Sequence, residues 1–474
     1  MIAVLEWLPA PHVALPARVS TLEQGALHVP ALALSIYTNV LPLPILPSTR
    51  RTRVYGNILA IAAALGLAAC LHSDGTSFDA AIDAAIDRCP SGWICPSQPI
   101  YSSQVGAWYT NIWRKPGDTS APGEAFLWSI SRYRPSLGFY DSNDPAVLAN
   151  HLDEMKASGI DFLILDGTNG FTTTLAVDTD LLIHEELARP LVARVPIAFA
   201  LGAKLWTAPS GSLTAVSAHQ HEVDRVYSDF ATNATNQFKY DTALNASPSI
   251  EPIEATYYRW ESAPLLVVYN AWGPSANGNT WDDPRMSVRH AGAIINPTAP
   301  TTAQFGALGW WGWVTEYPQL ITDDEIGVTP GADNVHRGCA ACTYHLDRET
   351  GFLLEREWLR AIKANPKAIV IASWNDFVDE TAIEPASPVA GSGAPTYVDS
   401  YGTEVPDWYL QIVSAYSNLR VGLMPDRVYR DEDDATMYRV TDGALVVETT
   451  KPHGQPVIPL PAGTLSGLRQ TPSP

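Results

Sequence analysis

The sequence predicts an α/β fold, a (β/α)8 TIM-like barrel with a small C-terminal β appendage. Three observations predict it. From Val105 onward, short apolar runs of strand length alternate with stretches of helical period, the pattern of a parallel sheet covered by helices. Polar and aromatic residues suited to chemistry fall in or just after those runs, where such barrels keep their active face. A last helix in Pro406–Gly422 is followed by a hairpin pattern, Met437–Val447, turning at Asp442-Gly443.

The expected strands are Val105–Trp113, Asp161–Asp166, Val195–Leu201, Leu265–Trp272, Phe305–Val314 and Ala368–Trp374, with 288–297 a weaker one. An eighth is not located. Pro145–Ser158 reads as a helix, capped by Asp144, with Pro145 in its first turn and Gly159 ending it. Further helices are expected at Leu181–Arg189, His221–Asn233, Glu355–Ala364 and Asp407–Asn418. A doubly wound open sheet is the alternative.

The chain of 474 residues carries 50 acidic and 30 basic side chains, a formal net charge of −20. Such a surface repels phosphate backbones, so nucleic acid is not an expected partner. A neutral polymer meets no such repulsion. The 15 Trp and 19 Tyr against 11 Phe favour aromatic rings with a polar edge, which stack on sugars and also hydrogen-bond to them.

The N-terminal part reads as an address. Residues Ile58 to Ala69 form an apolar run too short to span a bilayer, preceded by Arg50, Arg51 and Arg53. Basic residues, a short apolar run and small residues make a secretory signal. Its end, Leu67-Ala68-Ala69-Cys70, resembles the lipobox of bacterial lipoproteins. That resemblance implies lipidation at Cys70, export, and a lipid anchor in the outer membrane or at the cell surface. The competing reading is a buried helix that ends in Cys. Residues 1–39 are expected to be an untranslated leader, with the start further in, at Val40. The expected division is then 40–69 signal peptide, 70–100 lipidated cysteine and acidic tether, 101–423 barrel, and 424–474 appendage. The tether contains Phe78–Asp87, a short acidic repeat with little to bury.

In an exported chain the remaining cysteines form two close pairs, Cys89 with Cys95 and Cys339 with Cys342, and both favour disulfides. His336, Cys339, Cys342 and His345 are also metal-ligand types, but their spacing is unlike common zinc modules. No metal and no cofactor are expected.

Residues 370–385 read VIASWNDFVDETAIEP. This segment resembles family 99 glycoside hydrolases, the endo-α-mannosidases and endo-α-mannanases, whose motif runs Asn-Glu-Trp-His-Glu-Gly-Thr-x-Ile-Glu-Pro. Without a gap, Asn375, Thr381, Ile383, Glu384 and Pro385 match. The family's two catalytic glutamates fall on Asp376 and Asp379. Family 71 α-1,3-glucanases carry Trp-Asn-Asp-Tyr-Gly-Glu, which matches Trp374, Asn375 and Asp376. The stretch Val105–Tyr109, then Leu137–Ser142, His151 and Gly159–Phe162, is similar to the opening of family 99-like domains. The resemblance spans residues 103–420 at most. It departs from the family where both acids are Asp and where Glu380 replaces Gly.

The resemblance implies a retaining, endo-acting glycosidase on α-mannan or α-glucan, with Asp376 as base on the sugar's own 2-hydroxyl and Asp379 as acid. Glycoside cleavage needs one protonated and one ionised carboxyl. Glu380 competes with Asp379 for the second place. The bland alternative is that both aspartates only cap the following segment. Expected sugar contacts are Trp108, Tyr109, Asp166, Tyr269, Asn270, Trp311, Trp374 and Asn375. Asp166 is read equally as an Asx turn beside Gly167 and Gly170, and His151 as packing. Two rival functions stand beside hydrolysis: an inert barrel that captures glycans, and a hydrolase using a metal at His336–His345.

Overall fold

The computed structural model describes residues 93–470 apart from 97–98, 118–126, 203–212, 247–250, 270–281, 293–309, 313–323 and 339–344. The leader, the signal, residues 70–92 and 97–98 of the tether (with Cys70 and Cys89), Asn270, Cys339 and Cys342 lie outside the described residues.

The architecture is mixed α/β around a curled parallel sheet. Its strands are β1 (Gln104–Tyr109), β2 (Phe162–Gly167), β3 (Ile197–Gly202), β4 (Ala263–Tyr269), β5 (Ser287–Gly292), β6 (Trp310–Gly312), β7 (Glu325–Val328) and β8 (Ala368–Ile371). Each pairs in parallel with its sequence neighbour from β1 through β6, and β7 pairs with β8. The last strand returns to the first: Gln104 faces Ala368 and Ala107 faces Ile371. The open edges, β6 and β7, approach each other without paired backbone among the described residues.

The sheet has two apolar faces because successive side chains alternate. Phe162, Ile164, Ala198, Ala200, Leu265, Val267, Val370 and Trp108 pack together on one. Val105, Leu163, Leu165, Phe199, Leu201, Leu266, Ile369 and Ile371 join the helices on the other. Both sets are fully or nearly fully buried, so the strands read as continuous apolar runs.

The helix Pro145–Ala157 forms as the sequence predicts: the Asp144 carboxylate accepts from the Ala146 amide, and Gly159 leaves the helix at φ +78. The other expected helices appear at Thr173–Leu187, Leu213–Val226, Phe352–Ala364 and Trp408–Leu419. After Met424, the strands Val428–Asp431, Met437–Thr441, Ala444–Glu448 and Val457–Leu460 form a separate four-stranded sheet, with the hairpin turning at Asp442-Gly443, both at positive φ. No helix among the described residues is long and apolar enough to cross a membrane.

Candidate active site

The segment after β8 folds back on itself as a compact loop. Trp374 donates its amide to the Trp108 carbonyl (2.7 Å), which ties the loop to the end of β1. Ser373 and Thr381 exchange a backbone bond (2.8 Å) and a hydroxyl bond (2.8 Å) across its base. The Asp376 amide donates to Ser373 Oγ at 2.8 Å. Asp376 Oδ1 accepts from the amides of Val378 and Asp379, each at 3.0 Å. So Asp376 does cap the following turn, but with one oxygen. Oδ2 takes no hydrogen bond from the described residues.

A buried polar network holds the loop from below. Asn375 accepts from the Thr110 amide (2.8 Å) and donates to the Thr110 carbonyl (3.0 Å) and to Tyr140 Oη (3.1 Å). Tyr140 in turn donates to Glu384 Oε2 at 2.7 Å. His151 bridges Glu384 Oε1 (3.3 Å) and Tyr109 Oη (3.0 Å). Asn375, His151 and Glu384 are essentially without solvent exposure. Buried polar groups persist when each finds a partner, and a satisfied network fixes one geometry.

Four groups meet above this network. Asp376 and Asp379 come from the loop, Asp166 from the end of β2, and Tyr269 from the end of β4. Burial first, then the Asp379 charge, push the Asp376 carboxyl up to about 7, while the Asp379 amide and Arg337 pull the other way. Burial raises Asp166 too, against the Thr168 hydroxyl (2.6 Å) and amide (3.0 Å) that it accepts. The Tyr269 phenol is raised by burial and then by the charges of Asp379, Asp166 and Asp376. Thus Asp166 is an Asx turn and a neighbour of the aspartate pair at once. The turn after β2 needs glycine opposite it: a Cβ on Gly202 would lie 1.5 Å from the Thr168 carbonyl oxygen.

Asp379 is ion-paired with Arg337, Nη1 to Oδ1 at 2.8 Å. Glu380, the expected competitor, is only 3% exposed and sits at φ +54. Arg132 grips both of its oxygens, Nη2 to Oε2 at 2.7 Å, and also binds Asp333 at 2.6 Å. Glu380 is thus buried and committed through both oxygens to Arg132. Asp333, His336 and Glu380 bring three metal-ligand side chains together, but Arg132 already supplies the positive charge there. Of the sequence-predicted metal cluster, His345 is 3.5 Å from Asp333, and the two cysteines are outside the described residues.

Several expected sugar contacts turn out to be core. Trp374 is fully enclosed and meets the His151 ring edge-on at 5.8 Å. Trp311 is 1% exposed and packs edge-on against Trp260. Tyr109 is committed to His151, and Asn375 has its amide bonds spent inside the protein. Trp108 is buried and abuts Tyr269 edge-to-face at 6.2 Å. The reason is the strand alternation: rings at these positions fill the sheet's inner face or the loop's underside. Asp166 and Tyr269 remain half-buried at the site. Sequence reasoning missed Arg337 and Arg132. Nothing in the pattern around either signals a partner, since both pairings join segments distant in sequence. Glu384 was matched only as a motif residue; an acid between Ile383 and Pro385 in an apolar run was the available sign that it is buried and bonded.

No protein-family model and no curated protein matches the chain. Among solved structures it is similar to the GH99 endo-alpha-mannosidase from Bacteroides thetaiotaomicron. With Bis-Tris propane bound, that enzyme aligns at 16% identity and a TM-score of 0.46, over 66% of this chain and 96% of that one. A second structure of it gives 16% and 0.46 over 67% and 98%. A structure described as a glycoside hydrolase-like protein gives 16% and 0.45 over 67% and 94%.

Proposed function

We propose that this chain is a glycoside hydrolase that cleaves an α-linked glycan, α-mannan or α-glucan, with retention and at internal bonds. In this reading the curled sheet closes as a (β/α)8 barrel, and Asp376 and Asp379 are the reacting pair. One observation carries the proposal. Three carboxyl groups and a tyrosine converge at the C-terminal ends of parallel strands, and one of the carboxyls is pushed up to about 7. Carboxyl pairs driven to different protonation states in such a place divide acid and base work. The motif match at Asn375 through Pro385 supplies the sugar class. The decisive test is product analysis against α-mannan, α-1,3-glucan and α-1,6-glucan. Short oligosaccharides released first as the α-anomer support the proposal. Tight binding with no product supports instead an inert glycan-binding barrel, a reading favoured by the shorter reach of Asp in both acid positions.

The chain is also proposed to be exported and anchored at the cell envelope through lipid on Cys70, with Cys89–Cys95 and Cys339–Cys342 as disulfides. Cys70→Ser should move the protein from the membrane fraction to the soluble one, read by fractionation and intact mass. A wild type that is already soluble with residues 58–69 still attached would refute the anchor.

A further inference from the structure

We propose that Arg348 is a positioning residue of the site: its buried guanidinium fixes the bend at Glu380 and, through that bend, the place of Asp379 beside Asp376. The kinetic consequence rests on the glycosidase reading above; the effect on the loop does not.

The loop that carries the two aspartates leaves the sheet at Ser373 and closes on itself where Thr381 bonds back to Ser373. Its return limb turns at Glu380, whose φ of +54 lies in the left-handed region. A residue with a Cβ takes that conformation at a cost and keeps it only where its surroundings impose it. Arg132 restrains the Glu380 side chain. Arg348 restrains the backbone. Its Nη2 donates to the Glu380 carbonyl at 2.6 Å and to the Ala382 carbonyl at 3.1 Å, and its Nη1 donates to Ala382 at 3.2 Å. These bonds go to main-chain oxygens and not to the Asp376 or Asp379 side chains, so Arg348 acts on the pair through the chain.

Arg348 is only 7% exposed, yet no carboxylate pairs with it among the described residues. Three tyrosine faces stand there instead. The guanidinium carbon lies 4.6 Å from the Tyr409 ring centre, 4.9 Å from Tyr397 and 5.7 Å from Tyr133. Tyr133 stacks on Tyr397, and Tyr409 meets Tyr397 edge-on, so the cage is itself packed. Ring faces attract the cation and leave its N–H groups for the two carbonyls, where a carboxylate would take them first. Gly331 clears the way for the stem: it sits at φ +136, and a Cβ there would lie 2.5 Å from Arg348 Cγ. A charge is costly to bury, and a neutral donor would serve a single carbonyl at less cost. What a neutral side chain lacks is the rigid fork of donors that spans two carbonyls two residues apart.

The test uses the full chain and the variants Arg348→Met and Arg348→Lys. Aryl α-mannobiosides and α-glucobiosides are the substrates, and hydrogen exchange of the backbone amides is the second readout. Rates are taken per folded molecule, with the folded fraction read from urea unfolding. Arg348→Met should lose about 10²-fold in kcat with KM unchanged, the effect of a misplaced reacting group and not of lost substrate contacts. Arg348→Lys keeps the charge and reaches one carbonyl, so its kcat should fall between those of Arg348→Met and the wild type. In both variants the amides of 373–384 should exchange faster, while those of Phe162–Gly167 and Ile197–Gly202 keep their wild-type rates. A wild-type kcat in Arg348→Met, unchanged exchange in 373–384, or a rise shared equally by the strands overturns the proposal and leaves Arg348 a purely structural residue. If Arg348→Met does not fold, Arg348→Lys carries both readouts. If the wild type turns over no glycoside at all, the glycosidase reading falls, and exchange in 373–384 still decides whether Arg348 fixes the loop.

Discussion

Asp376→Asn is expected to abolish turnover while leaving the fold and glycan binding in place. The amide keeps the shape of the carboxylate, and its remaining oxygen can still accept from the Val378 and Asp379 amides that anchor the wild-type side chain at 3.0 Å. What is lost is the dissociable proton. Removing an acid or base catalyst costs about 10²–10⁴-fold in rate. The neighbouring positions make this a pointed comparison. Asp379→Asn removes the partner of Arg337 and is expected to be nearly as damaging. Glu380→Gln is expected to leave the chemistry standing, because Glu380 answers to Arg132 and His336, not to the aspartate pair. Turnover of an α-glycan panel by the three variants, with thermal melts alongside, reads the difference. An Asp376→Asn enzyme with wild-type rates would place the site elsewhere.

The barrel-like order was legible because buried parallel strands are apolar on both faces, and that signal survives without long-range information. Where it failed, the cause is local. Strand β7 is four residues long, Glu325–Val328, and opens on a buried glutamate, too short and too mixed to stand out. The helix ending at Leu187 was read only from Leu181. Its first half carries two buried aspartates that break the apolar pattern: Asp178 pairs with Arg114 at 2.7 Å, and Asp180 accepts the amides of Tyr240 and Asp241. Those partners lie far away in sequence, so the residues looked exposed. The candidate site divides the same way. Asp376 was visible in its motif and Asp166 in its strand-end turn, because local spacing places both. Trp108, Tyr109, Trp311 and Trp374 are buried while Tyr269 stays half-buried at the site, and a ring at a strand end looks the same on paper whether it faces an opening or the core. In sequence the ungapped motif register favoured Asp379 over Glu380; in the structure Arg132 holds Glu380 and Arg337 holds Asp379.

Glu384→Ala is expected to be the most destabilising change at the site. Its carboxylate, 1% exposed, accepts from Tyr140 Oη at 2.7 Å and lies 3.3 Å from His151 Nε2. Tyr109 Oη lies 3.0 Å from Nδ1; a carboxylate only accepts, so in the tautomer that bonds Glu384 the ring presents its Nε2–H there and Nδ1 accepts from the phenol. Deleting the carboxylate therefore strands two buried donors in an apolar setting. Each unsatisfied buried group costs about 1–3 kcal/mol, and the vacated volume adds to it, so a loss on the order of 3–5 kcal/mol is expected. That is a large share of the roughly 5–15 kcal/mol of a typical domain. The damage should reach the chemistry as well. Tyr140, freed from Glu384, no longer fixes Asn375, and Asn375 is what stitches the loop that carries Asp376 to Thr110. Glu384→Gln should cost less, since it restores an acceptor but offers its own N–H groups to donors. Urea unfolding of both variants, with Tyr140→Phe and the Glu384→Ala/Tyr140→Phe double variant completing a cycle, measures the coupling. The single losses should sum to more than the double loss, because after Glu384 is gone the Tyr140 hydroxyl is a liability. Additive losses, or an Ala variant within about 1 kcal/mol of wild type, would mean that the network does not hold the loop.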